Sequence, residues 1–129
     1  MFTLEEIKEA HSKVKSGADF PAYIKEIKVL GVLGYETYVS DGHTKYFGMD
    51  DFEIATPPKY ETLEIAEQSD AEQFKADLKT HQQGGTDYKT FCKDCAKSGI
   101  LKWVVDMAGK SCTYYDVNGE IALVEVIPE

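Results

Sequence analysis

Asp19-Phe20-Pro21-Ala22-Tyr23-Ile24-Lys25-Glu26-Ile27 and Asp87-Tyr88-Lys89-Thr90-Phe91-Cys92-Lys93-Asp94-Cys95 are the two stretches on which the reading of this chain turns. Laid over one another at a displacement of 87 − 19 = 68, they match acid with acid, aromatic with aromatic and lysine with lysine. The match continues through Gly31/Gly99, Leu33/Leu101 and Tyr35/Trp103, and resumes at Tyr46/Tyr114 and Phe47/Tyr115. A displacement of 67 aligns Glu53-Ile54-Ala55 with Glu120-Ile121-Ala122, Ile7-Lys8 with Phe74-Lys75, and Gly17 with Gly84. Any two amphipathic helices share a 3.6-residue period. Here the matched segments also end at glycines that lead into strand-like sequence, which argues for an internal duplication.

Working outward, each half reads as two helices followed by strands. Thr3 with Glu6 forms a capping box, and Leu4, Ile7, His11 and Val14 form an apolar stripe, so helix 1 is predicted to run to about Ser16 and stop at Gly17. Asp19 and Pro21 open helix 2, which Gly31 closes. Tyr35 to Ser40, Lys45 to Phe47 and Phe52 to Ala55 read as strands, with a turn at Asp41-Gly42 and a break at Pro57-Pro58. Ser69 and Glu72 suggest a second capping box for helix 3, and helix 4 spans about Asp87 to Ser98. Trp103 to Met107, Ser111 to Asp116 and Glu120 to Ile127 complete the strands, the last two joined by the hairpin signal Asn118-Gly119. Tyr60 to Gln68 reads equally as a short helix or an extended linker.

Together these elements predict an α+β fold: one 1–129 domain, with an antiparallel sheet packed against helices in two layers and pseudo-twofold symmetry. Repeat 1 covers about 3–56, a linker about 57–68 and repeat 2 about 69–127.

The 129 residues carry 14 Lys and Arg against 23 Asp and Glu, a formal charge of −9. A field of that sign repels phosphate backbones and anionic membranes, and no basic run offsets it, so neither nucleic acid nor a membrane is the expected partner. The first residues, Met1-Phe2-Thr3-Leu4-Glu5-Glu6, have neither a basic nor an apolar leader pattern, which makes a cytoplasmic location the expectation. Three cysteines, an odd number, read as free thiols.

Phe20-Pro21 through Gly31-Val32, Tyr35 through Thr44 with its Asp41-Gly42-His43-Thr44, Asp87-Tyr88-Lys89-Thr90-Phe91-Cys92, Lys102-Trp103-Val104-Val105-Asp106 and Cys112-Thr113-Tyr114-Tyr115-Asp116 resemble the YbcV-like family. That is a bacterial and prophage-associated group of small proteins of unknown function, sometimes labelled phage envelope proteins. The resemblance covers nearly the whole chain and implies no activity, cofactor or catalytic residue to carry over.

The residues themselves offer few sites. Cys92-x-x-Cys95 lies more than a turn inside helix 4 and at the positions of Ile24 and Ile27 in the other half, so buried small hydrophobes explain it better than redox chemistry. Cys112 stands alone and the histidines fall in other elements, so no metal and no cofactor is expected. His11 and His81 lie on apolar stripes and read as hydrogen-bonded residues at the core margin. His43, following Asp41-Gly42 in a turn, is the one candidate general base, with Asp41 to orient it. Alternation puts Tyr35, Thr37 and Val39 on the helix-covered face, and leaves Glu36, Tyr38, Val104 and Asp106 on an open one. Tyr38, Asp106 and Glu36 are therefore the expected binding residues of a noncatalytic interaction module that meets a protein partner, or itself as a homodimer. The alternative is a small enzyme or ligand-binding protein with its site around Asp41 and His43, between the repeats.

Overall fold

The computed structural model describes residues 2–14 and 19–127. Its elements follow in the order α1 (Leu4–His11), α2 (Phe20–Leu30), β1 (Gly34–Tyr38), β2 (Thr44–Phe47), β3 (Glu53–Ala55), α3 (Ala71–Gln82), α4 (Tyr88–Lys97), β4 (Ile100–Asp106), β5 (Ser111–Asp116) and β6 (Ile121–Val126). The six strands form one sheet in the order β3-β2-β1-β4-β5-β6, antiparallel at every step. Helix α1 packs on α2 and α3 on α4, and α4 lies against β4.

The α+β class and the antiparallel sheet agree with the sequence pattern. The register carries a further regularity. Gly34↔Phe47, Tyr35↔Tyr46, Glu36↔Lys45 and Thr37↔Thr44 join β1 to β2, and adding 68 to each number gives the β4–β5 pairs Lys102↔Tyr115, Trp103↔Tyr114, Val104↔Thr113 and Val105↔Cys112. The outer strands follow with one change. Phe47↔Glu53 corresponds to Tyr115↔Ile121, and then a bulge between Tyr114 and Tyr115 makes Thr113 face Val124, where the same displacement from Lys45↔Ala55 would give Leu123. The register thus sets Glu53 against Ile121, and the identity of Glu53-Ile54-Ala55 with Glu120-Ile121-Ala122 does not describe the pairing.

Alternation does the sorting. The helix side of the sheet buries Tyr35, Thr37, Val39, Trp103, Val105 and Met107, and these meet Ile7, Tyr23, Ile27, Phe74, Phe91 and Cys95 from the helices. Both strand-leading glycines are left-handed, Gly31 at φ 110° and Gly99 at φ 73°, a conformation that costs other residues about 1–2 kcal/mol.

Several predicted details change. Thr3 and Glu6 do form the capping box, but α1 ends at His11 with Ser12 as its cap, and Gly17 lies outside the described residues. Ala10, and not His11, takes the buried position, so His11 is exposed with its ring edge-on to Tyr23 at 5.4 Å. The cap of α3 is Asp70 instead of Ser69: a carboxylate one residue further on accepts from the Gln73 amide at 3.1 Å. Strand β4 begins three residues early, at Ile100. The 57–68 segment forms no helix. It is an extended strap held by the Lys59 amide on the Asp41 carbonyl, the Leu63 amide on Ser40 and the Ala66 amide on Ala96.

Candidate functional site

The β1–β2 turn is built by two local devices. Gly42 takes φ 76°, and the Asp41 carboxylate accepts the His43 backbone amide at 3.0 Å, the side-chain mimic of a turn that Asp favours. The same Asp41 oxygen lies 2.5 Å from His43 Nδ1. Burial would push the Asp41 carboxyl up, but the two His43 hydrogen bonds and the imidazole charge outweigh it and hold the group below its usual range. With Nδ1 engaged, the remaining ring nitrogen is the one available to accept a proton, the arrangement of an oriented general base. The His43 ring stacks on Tyr38, centroids 4.5 Å apart and planes 4° from parallel.

From Tyr38 the arrangement spreads across the open sheet face. Its hydroxyl donates to Glu36 at 3.0 Å, and Glu36 also receives Lys102 at 3.4 Å. Burial and the Glu36 bond together raise the phenol above its ordinary pKa. Lys45 and Lys102 lie 5.8 and 5.6 Å from the centre of the Tyr38 ring, and Lys102 is 5.5 Å from that of Tyr115. These are cation–π distances, so two aromatic rings, two lysines and a carboxylate form one surface array.

The structure therefore brings Asp41, His43, Tyr38 and Glu36 together. Asp106 stands apart: paired across the ladder with Gly34, its carboxylate accepts the Ala108 amide at 3.1 Å and shapes the β4–β5 turn. Sequence reasoning missed Lys45, Lys102 and Tyr115. The signal was present, since Lys102 pairs with Tyr38 and Lys45 with Glu36 once the register is known. Alternation within one strand does not reveal which strands adjoin.

The other candidates fall inside the core. Cys92 and Cys95 are fully buried and Cys112 nearly so, all three free. Burial pushes the Cys112 thiol up to about 12, and those of Cys92 and Cys95 upward as well. Such thiols pack; they do not act as nucleophiles at neutral pH. His81 Nδ1 lies 3.0 Å from the Thr86 carbonyl while its ring stacks on Phe91 at 4.4 Å, as a residue of the core margin should. The described residues contain no group of three or more His, Cys, Asp or Glu side chains placed to hold a metal ion, and no helix long and apolar enough to cross a membrane. Recesses open beside the strap at Glu64–Glu67 and between α2 and the β4–β5 turn. Neither is lined by Asp41 or His43.

The fold and this face define a class: a two-layer α+β protein, four helices on one side of a six-stranded antiparallel sheet, with a polar and aromatic array on the other side. The chain belongs to the family described as protein of unknown function (DUF1398), whose pattern it matches over residues 8–126. It is also similar to the uncharacterized protein YcgX of Escherichia coli (strain K12), at 19% identity over 113 residues, spanning 88% of this chain and 84% of that protein.

Proposed function

We propose that the chain is a noncatalytic binding module, made by duplication of one helix-helix-strand-strand-strand unit, which meets another protein chain through its open sheet face. The carrying observation is the array around Tyr38, where Lys45, Lys102, Glu36 and Tyr115 preorganise an aromatic surface. Aromatic and charged side chains held in place this way lose little freedom on binding, a property of interaction hot spots. The shared register of β1–β2 and β4–β5 supports the duplication, with halves of about 3–56 and 69–127 joined by 57–68 in one domain.

The partner we propose is a second copy. The two sheet edges are treated differently: β3 is three residues long and followed closely by Pro57-Pro58, whereas β6 has six residues and exposes Ile121, Val124 and Val126. Ile121, Val124 and Val126 pair with Tyr115, Thr113 and Ser111, so they extend the open face with apolar surface that a second copy can cover. The charge of −9 favours protein over nucleic acid, three buried free thiols suit a reducing cytoplasm, and the Asp41-Gly42-His43-Thr44 string supports the resemblance to the YbcV-like, prophage-associated group.

Sedimentation velocity on the wild type and on Tyr38→Ala tests the reading. A concentration-dependent dimer is expected, weakened by about 1–2 kcal/mol when the ring is removed. A wild type that stays monomeric at high micromolar concentration overturns self-association. Weight then moves to the second reading, which the 2.5 Å Asp41–His43 contact favours: a proton-transfer or ligand site at that dyad.

A further inference from the structure

The strap carries Lys59 onto the helix side of the molecule, between α1 and α4. Its ammonium lies 5.7 Å from the centre of the Tyr88 ring at the start of α4, and its charge acts on His11 of α1 and on the Cys92 thiol. The backbone holds it there. The Lys59 amide donates to the Asp41 carbonyl at 2.8 Å, and the hydroxyl of the next residue, Tyr60, donates to the Val39 carbonyl at 2.6 Å. A Cβ on Gly42 would stand 3.2 Å from the Lys59 Cβ, so the strap lies flat on the β1–β2 turn. Anchors at two successive residues fix the direction in which the lysine stem leaves the strap.

No carboxylate answers this charge. Lys13, Lys75 and Lys102 each meet a glutamate, but none of the ion pairs among the described residues includes Lys59. Asp41, whose carbonyl holds the Lys59 amide, commits its carboxylate to His43. Around the ammonium stand the Tyr88 ring, the Cys92 thiol and the His11 imidazole. Burial pushes the Lys59 amine below its ordinary range. Partial burial lowers His11 as well, and the Lys59 charge adds to that. An ammonium that loses water and gains no anion is displaced toward the neutral amine, which is the nucleophilic form. The residue is still exposed, so a molecule from solution can reach it.

We infer that Lys59 is a nucleophilic amine that condenses with small aldehydes, at a site on the helix side of the sheet and apart from the open-face array. The Nζ lone pair attacks the carbonyl carbon, the C=O π pair moves to oxygen, and one Nζ proton passes to that oxygen. Loss of the second Nζ proton together with hydroxide, as water, leaves a C=N bond. One amine and one aldehyde thus give one imine and one water, with no oxidant or reductant. His11, neutral near pH 7 because its pKa is lowered, relays the proton, and the Tyr88 ring offers a wall to the apolar part of the aldehyde. An aldehyde needs only a free amine and a proton relay, the two things this cluster supplies.

The test labels the native protein with limiting benzaldehyde and sodium cyanoborohydride at neutral pH, and reads every lysine by peptide mass spectrometry. Labelling of Lys59 about tenfold above the exposed Lys89 and Lys93 is expected, with the preference gone in concentrated urea and the labelled peptide gone in Lys59→Arg. Tyr60→Phe, which keeps the ring and removes the anchor on Val39, lowers the preference several-fold. His11→Gln slows labelling by the aldehyde and leaves acylation of Lys59 by acetic anhydride unchanged. Even labelling over the lysines would overturn the reactive amine. Lys59 favoured by acetic anhydride but not by benzaldehyde would overturn the aldehyde class, and aldehyde labelling indifferent to His11→Gln would overturn the relay.

Discussion

Glu36 stands directly across the β1–β4 ladder from Val104, the residue 68 positions further along the chain. The pairs on either side mirror one another: Tyr35↔Val105 with Thr37↔Trp103, and Gly34↔Asp106 with Tyr38↔Lys102. Around this point the register of the middle of the sheet is symmetric, each pair on one side of Glu36↔Val104 answered by a pair of the same numbers shifted by 68 on the other.

The two strand-leading glycines offer a first measurement. Both have positive φ, so Gly31→Ala and Gly99→Ala each destabilise by about 1–2 kcal/mol from backbone strain alone. A Cβ at Gly99 would also meet the Gln68 carbonyl oxygen at 2.7 Å and the Ser69 Cα at 2.8 Å, whereas at Gly31 it finds only the Phe2 ring at 3.7 Å. Urea unfolding should therefore show a clearly larger loss for Gly99→Ala. Equal losses would mean that the 66–70 backbone does not press on β4 as described.

Tyr60 and Gly42 form a coupled pair. Removing the ring by Tyr60→Ala leaves a hole beside Gly42 and an unpaired Val39 carbonyl, and should cost about 2–4 kcal/mol. Gly42→Ala is destabilising alone, because its Cβ would lie 2.6 Å from that ring. In the double variant the clash is absent, so the losses add to less than their sum by at least about 0.5 kcal/mol. Simple additivity in chemical denaturation would show that the two do not touch.

The thiols should be silent until the chain opens. Cys92 and Cys95 have no solvent exposure and Cys112 has 6%, so a polar disulfide reagent labels them only at the rate of unfolding, rising steeply with urea. Fast native labelling of either α4 cysteine would contradict their packing. The same burial sets an alkaline limit. A thiol raised to about 12 when folded, against about 8.5 in the unfolded chain, contributes stability that is whole below about pH 8.5 and is lost as pH rises toward 12. The midpoint of urea unfolding should fall steadily over that interval.

Asp41 sets the corresponding acid behaviour. Its folded pKa lies below the unfolded value of about 3.9. Its contribution is therefore present above that value and lost as pH drops through the folded one. The Asp41 carboxyl ¹³C resonance, which reports that group's own protonation, should show its step below about pH 4. A midpoint above the ordinary carboxylate range would mean that burial, and not the His43 bonds, governs the group. In Asp41→Asn the step should vanish.

Much of the fold was legible because local signals agreed with the final packing. The capping box at Thr3, the glycines at 31 and 99, and strand alternation each depend on a few neighbouring residues, so they are written in the chain directly. The alternation also placed Tyr38 and Glu36 on the open face, and the match of Cys92 and Cys95 to Ile24 and Ile27 placed the two thiols in the core, where the structure has them. By contrast, α1 stops at His11 although the apolar stripe continues to Val14, and Asp70 displaces Ser69 as the α3 cap. The periodicity of a short helix does not say where it ends, and two adjacent capping residues compete on geometry that only the folded backbone supplies.

The sequence by itself determined the four helices and six strands to within a few residues at their ends, the hairpin pairing of neighbouring strands and the side of β1 and β4 that faces the helices. Only the tertiary structure decided that β1 lies beside β4, and with that pairing Lys102 came to rest over Tyr38 and Tyr115. It also decided that the strap lays the Tyr60 ring beside Gly42, with its hydroxyl on the Val39 carbonyl. The reason is range: caps, turns and alternation are set within a few residues, whereas contacts between residues tens of positions apart exist only after the chain has closed on itself.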